Sequence, residues 1–317
     1  MDFKEENKTI TINGDEIAPE KNKQVRIEIA RLPSGTLIDI PVHVFNSKKP
    51  GPTVLIQAGL HGDEINGVET LRRLLQDRTF KIQKGAVIVV PILNIFGFIH
   101  FSRDVPDGKD VNRSFPGSKS GSLASRIAYH YTTEVLPQVD LAIDLHTGGA
   151  KRDNYPQIRY TKDDEASKTL AKAFGAPYFF ASRLINGSFR RTMFRMNKPA
   201  IVYEAGESMR FDEQSIEISL KGIKNILTKL DILEGKPQRQ KSIHLEKTKW
   251  IRASKAGMFV PKINNGNKVK KGQVLGMVTD IHVNKNKQVK APYDGYVFCV
   301  NNQAVVNQGD ALFHIGS

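Results

Sequence analysis

The chain alternates short apolar runs with longer segments whose apolar residues recur every three or four positions. The short runs, which predict buried strands, lie near residues 53–58, 86–93, 139–145 and 199–204. The longer segments, which predict amphipathic helices, lie near residues 65–76, 122–135, 164–174 and 212–233. Strands and helices that alternate along a chain are typical of an α/β domain, in which helices cover both faces of a sheet.

The regions before and after this pattern have a different arrangement of apolar and polar residues. Between residues 24 and 45, two runs of alternating apolar and polar residues flank Pro33-Ser34-Gly35, which predicts an antiparallel hairpin at an edge of the main sheet. Gly235 and Pro237 end the last predicted helix, and short β segments begin at about residue 243. We therefore predict an N-terminal β hairpin over residues 1–45, an α/β domain over 46–236 and a C-terminal β domain over 237–317.

Three C-terminal segments resemble the half-motifs of biotinyl- and lipoyl-like barrel-sandwich domains: Gly257–Pro261, Gly266–Gly276 and Ala291–Val297. The resemblance implies a small all-β barrel-sandwich-like fold. A carrier domain of that kind would hold a swinging cofactor on a hairpin lysine, for which Lys285 and Lys287 are the candidates. The neighbouring residues lack the Met-Lys-Met and Asp-Lys-Ala sequences of such carriers, so we expect instead a structural β cap over the cleft of the α/β domain.

Composition narrows the classes of function without choosing one. The 317 residues are 39% hydrophobic, which is enough for a substantial core, and no apolar run reaches the 18 residues of a membrane span. Cys299 is the only cysteine and the first residues lack a secretory signal, so we expect a cytoplasmic protein. The net charge of +14 comes without an identifiable DNA- or RNA-binding motif. We expect no nucleic-acid partner, and a positive field that attracts small anions.

Candidate metal ligands follow two of the predicted strands. His61 and Glu64 lie in a glycine-flanked loop after the first buried strand, and His146 follows the third. Ligand-binding groups collect at the carboxyl ends of strands in α/β sheets. Two imidazoles and one carboxylate would leave the fourth position of a tetrahedral zinc ion for water, as catalytic sites require. Asp144 precedes His146 by two residues, so strand alternation could aim it at the metal-binding imidazole from behind.

Four motifs carry a resemblance to a known family. They are Gly59–Glu64 (GLHGDE), Asp107–Gly117 (DGKDVNRSFPG), Asp144–Gly148 (DLHTG) and Tyr203–Glu207 (YEAGE). Their order and sequence resemble the succinylglutamate desuccinylase/aspartoacylase family of the zinc carboxypeptidase-like clan, over about residues 50 to 235. The resemblance implies a zinc carboxypeptidase-like three-layer α/β/α fold with a mixed sheet.

The resemblance also implies binding roles. His61, Glu64 and His146 would hold one zinc ion per chain. Asn112 and Arg113 would bind a substrate carboxylate, and a planar guanidinium is suited to that task because it can donate two parallel hydrogen bonds. The alternative for Arg113 is a structural salt bridge.

Two catalytic roles follow from the same resemblance. Glu204, at the end of the last predicted strand, would be the general base, and Glu207 competes for that role. Arg103 would polarise the carbonyl under attack. The segment between Arg103 and the Asn112-Arg113 pair is longer than in the shortest family members. The alternative interpretation of Arg103 is a charged residue at the surface. Arg159 and the pair Arg190-Arg191 are further basic candidates for the pocket.

Together these roles predict a zinc-dependent amidohydrolase that cleaves the amide bond of an N-acyl amino acid or a related small amide bearing a carboxylate. The base would take a proton from the attacking water and pass it to the departing amine. Two alternatives stay open: a zinc carboxypeptidase that acts on peptides, and a non-catalytic binding protein of the same fold. The expected partner is a small-molecule substrate, whose acyl group the sequence does not identify. A homo-oligomer is compatible with the sequence.

Overall fold

The computed structural model describes residues 6–238, 240–282 and 286–317. Its strands are β1 (Ile10–Ile12), β2 (Asp15–Ile17), β3 (Asn22–Arg31), β4 (Leu37–Asn46), β5 (Lys49–Gln57), β6 (Lys84–Val90), β7 (Leu141–Gly148), β8 (Arg152–Thr161), β9 (Tyr178–Ser182), β10 (Ala200–Glu207), β11 (Ile243–His244), β12 (Thr248–Arg252), β13 (Gly257–Pro261), β14 (Lys268–Val269), β15 (Val274–Thr279), β16 (Asn286–Lys290), β17 (Gly295–Asn301), β18 (Val305–Val306) and β19 (Ala311–Gly316). Its α-helices are α1 (Ile65–Gln76), α2 (Ile95–Ile99), α3 (Leu123–Glu134), α4 (Glu165–Phe174), α5 (Phe189–Arg195) and α6 (Glu213–Lys229). Short 3-10 turns lie at Val111–Arg113 and Leu136–Gln138.

A mixed sheet, with 13 strands among the described residues, runs through the middle of the molecule. Its central strands β10, β7, β5 and β6 lie side by side and parallel. β8 runs antiparallel beside β10, and β4 runs antiparallel beside β6. The predicted mixed α/β architecture is therefore confirmed.

Helices cover both faces of this sheet because the central strands are apolar at successive positions. Ile143 of β7 packs in one buried cluster with Leu71 of α1 and Phe174 of α4. The preceding residue, Ala142, packs in a second cluster with Ile127 of α3. Neighbouring residues of a strand face opposite sides of its sheet, so these two clusters are the two interfaces of a three-layer α/β/α arrangement. Among the described residues, no helix combines the length and apolar character needed to cross a membrane.

The N-terminal hairpin forms one edge of the sheet, as the alternation of its residues predicts. β3 and β4 pair antiparallel with Val25 opposite Val42, and β3 is the outermost strand. Both valines are buried, whereas the neighbouring residues of β3 are exposed. One face of the hairpin therefore joins the core and the other meets solvent.

The C-terminal strands divide between two sheets. β17 pairs with β8, with Cys299 opposite Asn154, and so joins β19 and β12 to the main sheet. β16, β15, β13 and β18 form a separate four-stranded sheet. Phe259 and Phe313 belong to the small core of this region. The small C-terminal β region is present, and its limits at residues 237–317 stay a prediction.

The two lysines considered for a carrier function have different positions. Lys285 lies outside the described residues. Lys287 is in β16, where it is exposed and stands opposite Val278 of β15. A carrier role finds no further support at Lys287, since the residue is part of a regular strand pair.

Candidate metal and substrate site

The candidate site lies where the parallel strands β5, β7 and β10 end. His61 and Glu64 are in the loop from β5 to α1, and Glu64 directly precedes the helix. His146 is near the end of β7, and Glu204 stands beside it in register on β10. Parallel strands bring their carboxyl ends to the same edge of a sheet, so residues more than 140 positions apart meet there.

His61, Glu64 and His146 converge on one point. Nδ1 of His61 lies 2.8 Å from Oε1 of Glu64, and Nδ1 of His146 lies 2.8 Å from Oε2. The backbone N–H of Thr147 donates to the same Oε2 at 3.0 Å. All three candidate ligands are buried, and their ligand atoms lie within 4.8 Å of one another. Two imidazole nitrogens and one carboxylate are a donor set of catalytic zinc sites, so these residues fit a metal ion.

The outer nitrogens of both imidazoles face aspartates. Nε2 of His146 lies 2.9 Å from Oδ2 of Asp144. Nε2 of His61 lies 3.3 Å from Oδ1 of Asp110, without good hydrogen-bond alignment. An ionised carboxylate only accepts hydrogen bonds, so it favours a hydrogen on the Nε2 that faces it. Each Nδ1 is then left with the lone pair that a metal ligand needs.

Burial and charge oppose each other in this cluster. Burial alone would lower the pKa of His146, but the carboxylates of Asp144 and Glu64 outweigh it and raise that pKa well above its ordinary value. The same opposition raises the pKa of His61. Burial would raise the pKa of Glu64, yet the two imidazoles hold it well below its usual range. The carboxylates thus favour positive charge in the cluster. A bound metal ion would therefore compete with protons for the imidazole nitrogens.

Arg103 reaches the same cluster from the loop after α2. Oδ2 of Asp110 accepts a hydrogen bond from Nη2 of Arg103 at 2.8 Å and another from Nε at 3.1 Å. Nη1 lies 3.2 Å from Nδ1 of His61 and 3.6 Å from Oε1 of Glu64. Burial opposes the charge of Arg103, but Asp110 and Glu64 outweigh it and raise the pKa of the guanidinium. A cationic donor is therefore fixed beside the candidate metal ligands.

Asn112 and Arg113 lie on the 3-10 turn that follows Asp110. Oδ1 of Asp110 accepts from the backbone N–H of Asn112 at 2.7 Å. Oδ1 of Asn112 accepts from the backbone N–H of Phe189 at 2.9 Å, so its amide NH2 group is the end left to meet a ligand. Arg113 donates to the carbonyl of Asn112 at 2.7 Å and lies 3.9 Å from Asp110. Both side chains line the cavity above the site.

The two glutamates of β10 have different surroundings. Glu204 lines the cavity, with Nη1 of Arg159 3.0 Å from its Oε1 and the Asn154 amide donating to its Oε2 at 2.8 Å. Glu207 accepts from the amide of Asn302 at 3.0 Å and is not among the described residues that line the cavity. A register shift in β10 separates the two glutamates. The geometry therefore favours Glu204 as the candidate base.

A cavity of about 430 Å³ opens over these residues. Its lining includes six arginines: Arg103, Arg113, Arg152, Arg159, Arg183 and Arg190. The C-terminal strands add Trp250 of β12 and Cys299 of β17. Arg191 is not among the described lining residues. The volume is that of a small-molecule site, and the excess of arginine suits an anionic ligand.

The chain is similar to known proteins over most of its length. The sequence matches the family model of the succinylglutamate desuccinylase/aspartoacylase catalytic domain over residues 50–230. The chain belongs to this family. The matched range contains the residues that the family resemblance identified as metal-binding, carboxylate-binding or catalytic: His61, Glu64, Arg103, Asn112, Arg113, His146 and Glu204.

Relatives of this succinylglutamate desuccinylase/aspartoacylase family member extend the similarity to most of the chain. N-alpha-acetyl-L-2,4-diaminobutyric acid deacetylase of Halomonas elongata is 31% identical over 288 residues, which cover 86% of this chain and 84% of the relative. The crystal structure of a succinylglutamate desuccinylase/aspartoacylase from Rhodobacter sphaeroides has a TM-score of 0.85 and 26% identity, and covers 97% of this chain and 99% of that chain. The product-bound ectoine utilization protein EutE (DoeB) from Ruegeria pomeroyi has a TM-score of 0.83 and 27% identity, with coverages of 93% and 95%.

The sequence analysis missed several side chains at the site of this family member. Asn154, which holds Glu204, and Trp250, which lines the cavity, lie outside the four motifs. β8, the strand that carries Asn154 and Arg159, has polar residues among its apolar ones and was not predicted. Its residues 157, 159 and 161 are polar at alternate positions, and this period of two is the signal that could have identified the strand.

Proposed function

We propose that this protein is a zinc-dependent amidohydrolase that removes the acyl group from an N-acyl amino acid or a related small amide bearing a carboxylate. The observation that carries the proposal is the convergence of His61, Glu64 and His146 beside Glu204 in an arginine-lined cavity. The Halomonas elongata relative, a deacetylase of N-alpha-acetyl-L-2,4-diaminobutyric acid, supports the same reaction class. Because the donor set is that of catalytic zinc sites, we propose zinc as the ion.

When bound, zinc supplies Lewis acidity that lowers the pKa of water to about 7 and polarises a carbonyl group. The carboxylate of Glu204 takes a proton from the attacking water and returns it to the departing amine. Arg159 and Asn154 each hold one oxygen of that carboxylate, which fixes its direction. Arg103 donates to the oxygen that gains charge as the carbonyl is attacked, and Asp110 keeps its guanidinium in place.

The same cavity favours an anionic substrate. Asn112 and Arg113 lie on one turn and present amide and guanidinium donors to a carboxylate. Arg159 and Arg190 add positive charge on the side of β8 and α5, where an acidic acyl group or side chain would be attracted. The enzyme would work in the cytoplasm, since Cys299, its only cysteine, has no partner in the chain for a disulfide.

The proposal is tested by measuring amine release from a panel of N-acetyl, N-succinyl and other N-acyl amino acids. We expect at least one compound to be hydrolysed by the zinc-loaded protein, and a chelator to abolish the reaction. Glu204→Gln should lower kcat by about 100- to 10,000-fold, the usual contribution of a general base. Glu207→Gln is the matched control, because Glu207 lies three residues away outside the cavity lining, and it should keep most of the activity.

Other outcomes would favour the alternatives. Faster hydrolysis of dipeptides than of every N-acyl amino acid would indicate a carboxypeptidase. Tight binding of N-acyl amino acids without turnover, unchanged by Glu204→Gln, would indicate a binding protein. Activity that survives removal of the metal would contradict the proposed chemistry.

A further inference from the structure

A buried chain of hydrogen bonds runs from the core to the candidate metal site. Tyr131 of α3 donates from its hydroxyl to Oε1 of Gln57 at 2.7 Å. Nε2 of Gln57, at the end of β5, donates to Oδ1 of Asp144 at 2.9 Å. Oδ2 of Asp144 faces Nε2 of His146 at 2.9 Å, and Nδ1 of His146 faces Glu64 at 2.8 Å. The chain thus links three elements, with every side chain in it buried.

The two hydrogen bonds of Gln57 have only one satisfactory direction. If the Gln57 amide were turned over, its oxygen would face the carboxylate of Asp144, and two acceptors would be in contact without a hydrogen. The hydroxyl of Tyr131 favours the observed orientation because it supplies a donor to the amide oxygen. Burial raises the pKa of Tyr131 well above its ordinary value, and the Asp144 carboxylate acts in the same direction, so the hydroxyl keeps its hydrogen.

The consequence reaches the metal-binding nitrogen. With one oxygen of Asp144 held by the amide of Gln57, the other oxygen is fixed toward Nε2 of His146. A hydrogen on Nε2 leaves the lone pair of Nδ1 directed at the point where Glu64 and His61 also converge. An imidazole already held in this orientation loses less rotational freedom when it binds a metal.

We propose that Tyr131 and Gln57 are positioning residues of the metal site, which act through Asp144 to hold His146 in the orientation and tautomer that bind the ion. This inference rests on the proposed function, since it assumes that the site binds zinc. The other imidazole is held differently. Asp110, which faces His61, is fixed by Arg103 and by the backbone of Asn112, so a different set of neighbours surrounds each histidine.

The test is the zinc dissociation constant of the full chain, measured by competition with a chelator. Gln57→Met keeps the approximate shape of the side chain but removes both hydrogen bonds, and we expect zinc affinity to fall about 10- to 100-fold, as for other partners that orient a ligand. Tyr131→Phe removes a single hydroxyl one step further away, and we expect a smaller loss, about three- to tenfold.

Tyr203→Phe is the matched control. Tyr203 is also buried, and its hydroxyl donates to the carbonyl of Ser215 at 2.7 Å, away from the chain that leads to His146. Its loss should destabilise the metal-free protein about as much as Tyr131→Phe, while zinc affinity stays within about twofold of the unsubstituted protein. Thermal unfolding of the metal-free variants separates the two effects.

A double variant tests whether Tyr131 acts through Gln57. If it does, adding Tyr131→Phe to Gln57→Met should weaken zinc binding no further, because the link has already been removed. If one of the two single variants fails to fold, the other still tests the role of the hydrogen-bond chain. Zinc affinities of Tyr131→Phe and Gln57→Met equal to that of Tyr203→Phe would overturn this inference alone. Failure of the unsubstituted protein to bind zinc would instead remove the proposed function and this inference with it.

Discussion

Arg190 shows at the scale of one residue how the cavity favours an anion. Its side chain is only 8% exposed, and Nη2 donates to the carbonyl of Arg183 at 2.8 Å. Nη1 is buried without a hydrogen-bond partner among the described residues. Burial lowers the pKa of Arg190 to about 10, and the charge of Arg159 acts in the same direction. A buried cation with an unused donor is costly, and a substrate carboxylate would relieve that cost.

We therefore expect Arg190→Met to weaken substrate binding without destabilising the fold. A charged hydrogen bond contributes about 1.5 to 3 kcal/mol, so KM for an anionic N-acyl amino acid should rise by about 10- to 100-fold with a smaller change in kcat. Arg191→Met is the matched control, since the next residue does not line the cavity, and its KM should stay near that of the unsubstituted enzyme. Equal KM values for both variants in steady-state kinetics would exclude this role.

At the scale of elements, one turn positions the Asn112–Arg113 pair. Gly187 has a φ of +72°, and a Cβ there would lie 2.2 Å from the carbonyl oxygen of Arg113. The carbonyl of Gly187 accepts from the backbone N–H of Phe115 at 2.9 Å. The loop before α5 therefore packs directly on the turn that carries the proposed carboxylate-binding residues, and only glycine allows that approach.

Gly187→Ala should consequently impair substrate binding as well as stability. The left-handed backbone alone costs an alanine about 1 kcal/mol, and the close approach adds displacement of the Arg113 backbone. Gly35→Ala isolates the first effect, because Gly35 has a φ of +83° and no atom within 4 Å of its added Cβ. We expect both variants to lose stability in urea denaturation, but only Gly187→Ala to raise KM. A normal KM for Gly187→Ala would show that the turn tolerates the shift.

The elements predicted from the sequence are those whose local pattern matches their surroundings. The central strands have apolar residues at successive positions because both faces are buried, as around Ile143, and the hairpin alternates because one face meets solvent. β8 was missed because polar side chains, including those of Asn154 and Arg159 at the cavity, interrupt its apolar residues, and the alternation at residues 157, 159 and 161 is a short local signal. The site follows the same rule: His61 and Glu64 lie in a recognisable motif, whereas the hydrogen bond from Tyr131 to Gln57 joins residues 74 positions apart.

At the scale of the whole molecule, the C-terminal strands are joined to the α/β domain through an aromatic contact. His314 of β19 stacks on Trp250 with ring centroids 4.1 Å apart and lies 4.3 Å from Phe298. Phe180 of β9 contacts the same imidazole at 6.2 Å, which connects β19 to the main body of the sheet. Nδ1 of His314 has no hydrogen-bond partner among the described residues. A protonated imidazole at this contact would be a buried charge without compensation.

This contact predicts a loss of stability in mild acid. Burial, together with the charge of Arg159, lowers the pKa of His314 to about 2, whereas an unfolded histidine titrates near 6.5. Above pH 6.5 both states are neutral, so the full stability is present. Below it, the unfolded state gains a proton that the folded state does not bind until the pH approaches 2. From pH 7.5 to pH 5.5 this residue should therefore lower the free energy of unfolding by about 1.4 kcal/mol.

Urea denaturation of the metal-free protein at those two pH values measures the effect. His314→Phe keeps an aromatic ring but cannot titrate, so it should lose about 1.4 kcal/mol less than the unsubstituted protein between pH 7.5 and 5.5. His61 and His146 titrate in both proteins, and their contributions cancel in the comparison. His282→Gln, at an exposed position, is the control for the removal of a histidine. Parallel curves for His314→Phe and the unsubstituted protein would mean that His314 is protonated, or exposed, in the folded state.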